Sequence, residues 1–103
     1  MTRRLQSIQL ASAELEAAVR WYEERRRGLG AEFFDAVSLT MALIAERPEI
    51  GTVIDGRVSL RRIVVSRFPY QVVYRVTPAD ITIVAVAHLK RRPNYWKDRH
   101  SSP

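Results

Sequence analysis

The sequence predicts an α+β fold in two layers, a helical hairpin packed on a mainly antiparallel sheet, in the order β-α-α-β-β-β with a short C-terminal tail. Three observations carry this. Tyr70, Val72, Tyr74 and Val76 alternate along one segment, Ile81, Ile83, Ala85 and Ala87 along the next, and Thr77-Pro78-Ala79-Asp80 joins them as a hairpin. Upstream, two apolar stripes repeat at helical spacing. Only Gly28-Leu29-Gly30 separates them, so the helices must fold back on each other.

Each element follows in order. Residues 4–10 read as a short strand, with Ile8 and Leu10 on one face and Gln9 on the other. Ser12 is the expected N-cap of the first helix, with Glu14 and Glu16 in the first turn, where the helix dipole favours anions. Leu15, Val19 and Tyr22 recur at helical spacing beside Ala18 and Trp21; the polar run from Glu23 to Arg27 ends this helix, and Gly28 stops it. Phe33, Phe34, Val37, Met41 and Ile44 stripe the second helix, which should end near Glu46 because Pro48 disfavours helix at Arg47. Pro48 to Gly56 reads as a loop. Strands are expected over residues 58–66, 69–76 and 81–88, then a tail broken by Pro93, with residues 97–103 disordered.

At 103 residues the chain is one domain, residues 1–103, large enough to bury a core without staples. It has no cysteine, which excludes disulfides and thiolate zinc sites, and a cytoplasmic location is expected. No apolar run approaches the roughly 20 residues that span a bilayer, and Met1-Thr2-Arg3-Arg4 leads into alternating residues rather than a signal core. The net charge of +6 is uneven. Residues 1–56 carry 7 basic and 9 acidic side chains, whereas residues 57–103 carry 10 and 2. Arginine supplies 15 of the 17 cations. It suits planar recognition of phosphate or carboxylate; a GC-rich genome also explains the arginine bias, but not its placement.

An ordered set of residues carries a family resemblance across roughly residues 5 to 99. It comprises Trp21-Tyr22-Glu23, Gly28-Leu29-Gly30, Phe33, Pro48, Arg61-Arg62, Phe68-Pro69-Tyr70, Val73-Tyr74-Arg75, Ala85-Val86-Ala87-His88, Arg91, Pro93, Tyr95 and Trp96. In this order they resemble the RelE/ParE superfamily of bacterial toxins from type II toxin–antitoxin modules, closer to its ParE-like members. The resemblance implies one of two activities. RelE-like members cut messenger RNA on the ribosome, which takes a proton acceptor, a proton donor and cations around the phosphorane. ParE-like members inhibit DNA gyrase by binding.

For a nuclease, the resemblance calls for an arginine early in the third strand, where this chain has Gln71. The nuclease candidates are His88, Lys90, Arg91 and Tyr95, although a lone histidine in a sheet reads more readily as a packing or hydrogen-bonding residue. Strand alternation places His88 with Thr82, Val84 and Val86, opposite Ala87 and Leu89. His100, the second histidine, falls in the expected loose tail. The two histidines have no helical pairing and no acidic cluster beside them, and the glycines cradle no phosphate, so no metal or cofactor is expected.

For a binder, Arg61, Arg62, Arg67, Arg91, Arg92, Tyr95 and Trp96 are the target-contact candidates. Arg61 and Arg67 share a face, and Arg62 lies on the other with Leu60 and Val64. An equal reading pairs these arginines with Glu23, Glu24, Asp35 or Asp55. Tyr95 and Trp96 read more readily as a latch folded back onto the sheet, one that would aim Arg91, Arg92 and Lys97. What the resemblance implies for partners is DNA gyrase, or the ribosome and its mRNA on the nuclease reading, and an antitoxin encoded by the adjacent gene. Its contacts are expected at Trp21, Phe33, Phe34 and Arg75; adjacent Phe33 and Phe34 cannot point the same way, so one should lean outward. A third reading, a non-toxic nucleic-acid-binding domain, lacks the glycine-bracketed aromatic strand motifs of RNA modules.

Overall fold

In the computed structural model, which describes residues 3–92 and 94–101, a five-stranded sheet carries two helices on one face. The strands are β1 (Arg4–Ser7), β2 (Thr52–Asp55), β3 (Leu60–Val64), β4 (Tyr70–Val76) and β5 (Asp80–His88), and the helices are α1 (Gln9–Arg25) and α2 (Leu29–Glu46). The sheet order is β1-β5-β4-β3-β2. All neighbours run antiparallel except β1, which pairs parallel with the first half of β5, Arg4 against Asp80 through Ser7 against Ile83. The two-layer prediction holds. Among the described residues no helix is long and apolar enough to cross a membrane.

Several boundaries differ from the sequence reading. The first strand stops at Ser7, and α1 starts at Gln9 behind Ile8, whose backbone N–H bonds the Ile83 carbonyl at 3.1 Å. Ser12 is therefore inside the helix, and Glu14 lies beyond its first turn. Tertiary docking onto β5 sets this start in place of a side-chain cap. The loop expected from Pro48 to Gly56 instead contains a 3₁₀ turn, Pro48–Ile50, and the edge strand β2. Pairing with β3 makes that strand, and its own short, half-polar sequence carries little sign of it.

The helical hairpin closes on a glycine pair. Gly28 has φ of +90°, a left-handed conformation that side chains resist, and Gly30 sits where a Cβ would stand 2.7 Å from the Val19 carbonyl oxygen. The Glu23 carboxylate reaches over from α1 to accept the Gly28 and Gly30 backbone N–H groups at 3.0 Å, supplying the cap that Gly28 lacks. Phe33, Val37, Thr40 and Ile44 then face the sheet, buried with Val72, Tyr74, Ile81, Ile83 and Val86.

The sheet has a second, smaller apolar face away from the helices, formed by Leu60, Val73, Val84, Ala85 and Ala87. A bulge sets which β5 residues join it: Val73 pairs with Ala85 but Tyr74 with Ile83, leaving Val84 as the extra residue. The bulge reverses alternation, so Ile83, Val86 and His88 face the helices while Val84 joins the outer face. Grouping Val84 with His88 is thereby corrected. Trp96 covers this outer face, and Lys97–Ser101 form a 3₁₀ helix. Pro93, residues 102–103 and the His100 side chain lie outside the described residues.

Candidate functional site

Beyond Ile83, β1 no longer covers the edge of β5, and the tail and α1 close it instead. Glu14 accepts the freed Val86 backbone N–H at 3.0 Å and the Tyr95 hydroxyl at 2.5 Å. Arg99 bonds Glu14 at 3.0 Å and the Val84 carbonyl at 3.2 Å, both side chains largely buried. An edge with loose N–H and C=O groups is thus satisfied by one carboxylate and one guanidinium. Desolvation by burial, then the Glu14 hydrogen bond, push the Tyr95 phenol well above its ordinary value, so it stays a donor.

The latch fixes the basic segment after β5. The Arg91 guanidinium stacks 4.2 Å from the Tyr95 ring centre, while Lys90 and Arg92 are exposed beside it. Trp96 is 4 % exposed and is held by the outer face, so as a target contact it is corrected to a latch residue. Its indole Nε1–H is buried with no partner, a state that costs about 1–3 kcal/mol when left so.

Two hollows flank Arg91. On the helix side, a cavity of about 560 Å³ is lined by Glu14, Trp21, Tyr22, Tyr70, His88 and Arg91. His88 stands edge-on to Tyr70 at 5.1 Å, and its Nδ1 accepts the Lys90 backbone N–H at 3.0 Å. Burial, and secondarily Tyr22, raise the Tyr70 pKa. On the outer side, a hollow of about 280 Å³ gathers Arg62, Gln71, Arg91, Asn94 and Trp96. Gln71 is 6 % exposed, and its Oε1 accepts from Arg62 Nη1 at 3.1 Å.

The remaining candidates scatter. Arg61, half-buried, donates to the Glu49 and Gly51 carbonyls at 2.9 and 2.8 Å and, with the buried Tyr74 hydroxyl, pins the turn after α2. Arg67 is exposed on the β3–β4 turn, paired to Glu32 at 3.1 Å. Glu32 also binds Arg26, and Arg26 is the first cause of its lowered pKa. Phe33 is fully buried and offers no surface to an antitoxin, a correction with a plain cause: it is the ring around which Tyr22, Phe68 and Tyr70 pack. Phe34 and Trp21 are 48 % and 49 % exposed, Trp21 beneath the Arg25 guanidinium at 3.8 Å. Arg75 is half-buried on β4 with an unpartnered Nε. Among the described residues, no group of three or more His, Cys, Asp or Glu side chains is placed to hold a metal.

Glu14 and Arg99 were missed, as was Asn94. Glu14 reads as an ordinary first-turn acid, and only the bulge, invisible in a sequence, shows what it satisfies.

Comparison with known proteins places this geometry. The model of the ParE toxin of the type II toxin–antitoxin system, parDE, matches residues 9–93 and so ends just before the latch residues. A solved structure described as the chromosomal ParDE TA system from P. aeruginosa aligns with a TM-score of 0.73 at 16% identity, covering 84% of this chain and 96% of that one. At that identity the likeness speaks for the fold. No curated protein matches. Because the toxin match spans most of its length, the chain belongs to the ParE toxin family of type II toxin–antitoxin systems.

Proposed function

We infer that this protein inhibits DNA gyrase by binding it in the cytoplasm, and that an antitoxin encoded by the adjacent gene neutralises it. The observation that carries this reading is the engagement of Tyr95. The phenol that a nuclease would use for proton transfer donates to Glu14, with its pKa raised away from neutrality. At the place where the nuclease expectation calls for an arginine stands the neutral, buried Gln71. The rigid latch holds Lys90, Arg91 and Arg92 outward as a docking rim.

The antitoxin side rests on exposed apolar surface. Leu39, 73 % exposed, and Leu43 on α2 form with Ile63 and Val64 a hollow of about 350 Å³, and Phe34 and Trp21 stand exposed on the helices. An acidic amphipathic segment that folds on contact suits apolar strips set beside cations. A ribosome-dependent mRNA endoribonuclease is the second reading, favoured by His88, Lys90 and Arg91 standing together at the end of β5.

Inducing the chain alone, then with its neighbour, tests the proposal. Growth arrest with filamentation and altered plasmid supercoiling, reversed by the neighbour, is the expected result. Immediate translation arrest with cleaved mRNA would favour the second reading. Failure of the two co-expressed proteins to co-purify would remove the antitoxin claim.

A further inference from the structure

The outer hollow differs from the others in its chemistry. Arg62, Arg91, Gln71, Asn94 and Trp96 line it, so two guanidinium and two amide side chains supply donors there. Gln71 already gives its oxygen to Arg62, which leaves its NH₂ as the free end. None of the residues lining this hollow is a carboxylate. Ile54 and Leu89 supply apolar walls. The Trp96 Nε1–H is buried and unpartnered, an N–H lacking the acceptor that such groups almost always have.

The geometry points to a binding site for a backbone phosphate of a nucleic-acid strand, held without being cut. A tetrahedral phosphate presents several acceptor oxygens at once, so two guanidiniums and two amides can be used together. A carboxylate has two oxygens and leaves donors idle. The surroundings favour a polymer of phosphates over a single ion. Lys90 and Arg92 are exposed beside the hollow, and Lys97 lines the adjoining one with Arg57, Asn94 and Trp96. That second hollow also touches Asp55, whose carboxylate is engaged by Arg57 at 3.2 Å. Across residues 57–103 the charge is 10 basic against 2 acidic side chains, and a chain of phosphates releases counterions along such a surface. The site stands independently of the gyrase reading, because it requires only that this face meet a phosphate.

The two tryptophans provide the test, since each gives one indole N–H signal in a ¹⁵N correlation spectrum of the full chain. Inorganic phosphate is titrated against chloride at matched ionic strength, followed by a twelve-nucleotide single-stranded DNA and, in parallel, hexaglutamate. The Trp96 signal is expected to move saturably with phosphate while Trp21 stays still. The oligonucleotide should saturate at least tenfold lower than phosphate, with a midpoint that rises steeply with salt. Arg62→Gln should weaken both titrations at least tenfold while the remaining signals confirm the fold; should that variant unfold, Arg91→Gln serves the same purpose. Joint movement of both indoles, or none, would overturn the site. Saturation by phosphate with no tighter oligonucleotide, or tighter binding of hexaglutamate than of DNA, would overturn its assignment to nucleic acid.

Discussion

The Glu14 carboxylate accepts the Tyr95 hydroxyl at 2.5 Å, joining the first helix to a tail residue 81 positions away. The same carboxylate holds the Val86 N–H and the Arg99 guanidinium. One acidic side chain therefore closes the open half of β5 and fixes the basic segment that follows it.

Removing that carboxylate should be felt throughout the tail. Glu14→Ala strands the Val86 N–H and leaves Arg99 largely buried without its counter-charge. A loss of about 2–4 kcal/mol is expected from urea unfolding. Glu14→Gln retains an acceptor and should lose about half as much. Equal, negligible losses in both would show that the latch contributes no stability.

Alkaline pH should weaken the same contact. Burial and the Glu14 bond raise the folded pKa of Tyr95 above the ordinary value of 10.0, so its stabilisation is intact below pH 10 and is lost as pH rises toward the folded value. Burial raises Tyr22, Tyr70 and Tyr74 in the same direction. Stability should therefore fall above pH 10. Tyr95→Phe should make that fall shallower by one proton, about 1.4 kcal/mol per pH unit. An unchanged slope in the variant would contradict the assignment.

The turn after α2 depends on another phenol. Tyr74 donates to the Pro48 carbonyl at 2.8 Å and accepts the Gly51 N–H at 2.9 Å, both buried. Tyr74→Phe should cost about 1–3 kcal/mol, read as a lower melting temperature, and should speed amide exchange at Gly51.

Much of the architecture was legible because it rests on local pattern. The stripe through Phe33, Val37 and Ile44 and the hairpin from Tyr70 to His88 advertise their periods directly. What escaped the sequence was set by tertiary partners. β2 exists only through β3, α1 begins where Ile8 meets Ile83, and the β5 bulge reverses alternation without any marker residue. The candidate site was half visible. Arg62, Arg91 and Tyr95 could be named from type and position, yet Glu14, Arg99 and Asn94 gain meaning only from what the folded tail brings beside them. Charge alone also could not separate Arg61, committed to backbone carbonyls, from Arg92, left to solvent.

The adjacent phenylalanines give a paired prediction for antitoxin binding. Phe34→Ala should change stability by no more than about 0.5 kcal/mol, and Trp21→Ala, which loses its edge-on contact with Tyr22 and the Arg25 stack, by about 1 kcal/mol, while both weaken capture of the antitoxin at least tenfold. Phe33→Ala should cost about 3–5 kcal/mol by opening the core. Undiminished antitoxin affinity in both surface variants, measured by calorimetry, would move the docking site elsewhere.

The most direct test of the central claim is a supercoiling assay with purified gyrase, relaxed plasmid and the purified chain. Dose-dependent inhibition with accumulation of cleaved gyrase–DNA complexes, relieved by the antitoxin and lost on Arg91→Ala/Arg92→Ala, is the predicted result. Full gyrase activity at saturating protein, alongside cleavage of mRNA on programmed ribosomes, would contradict it.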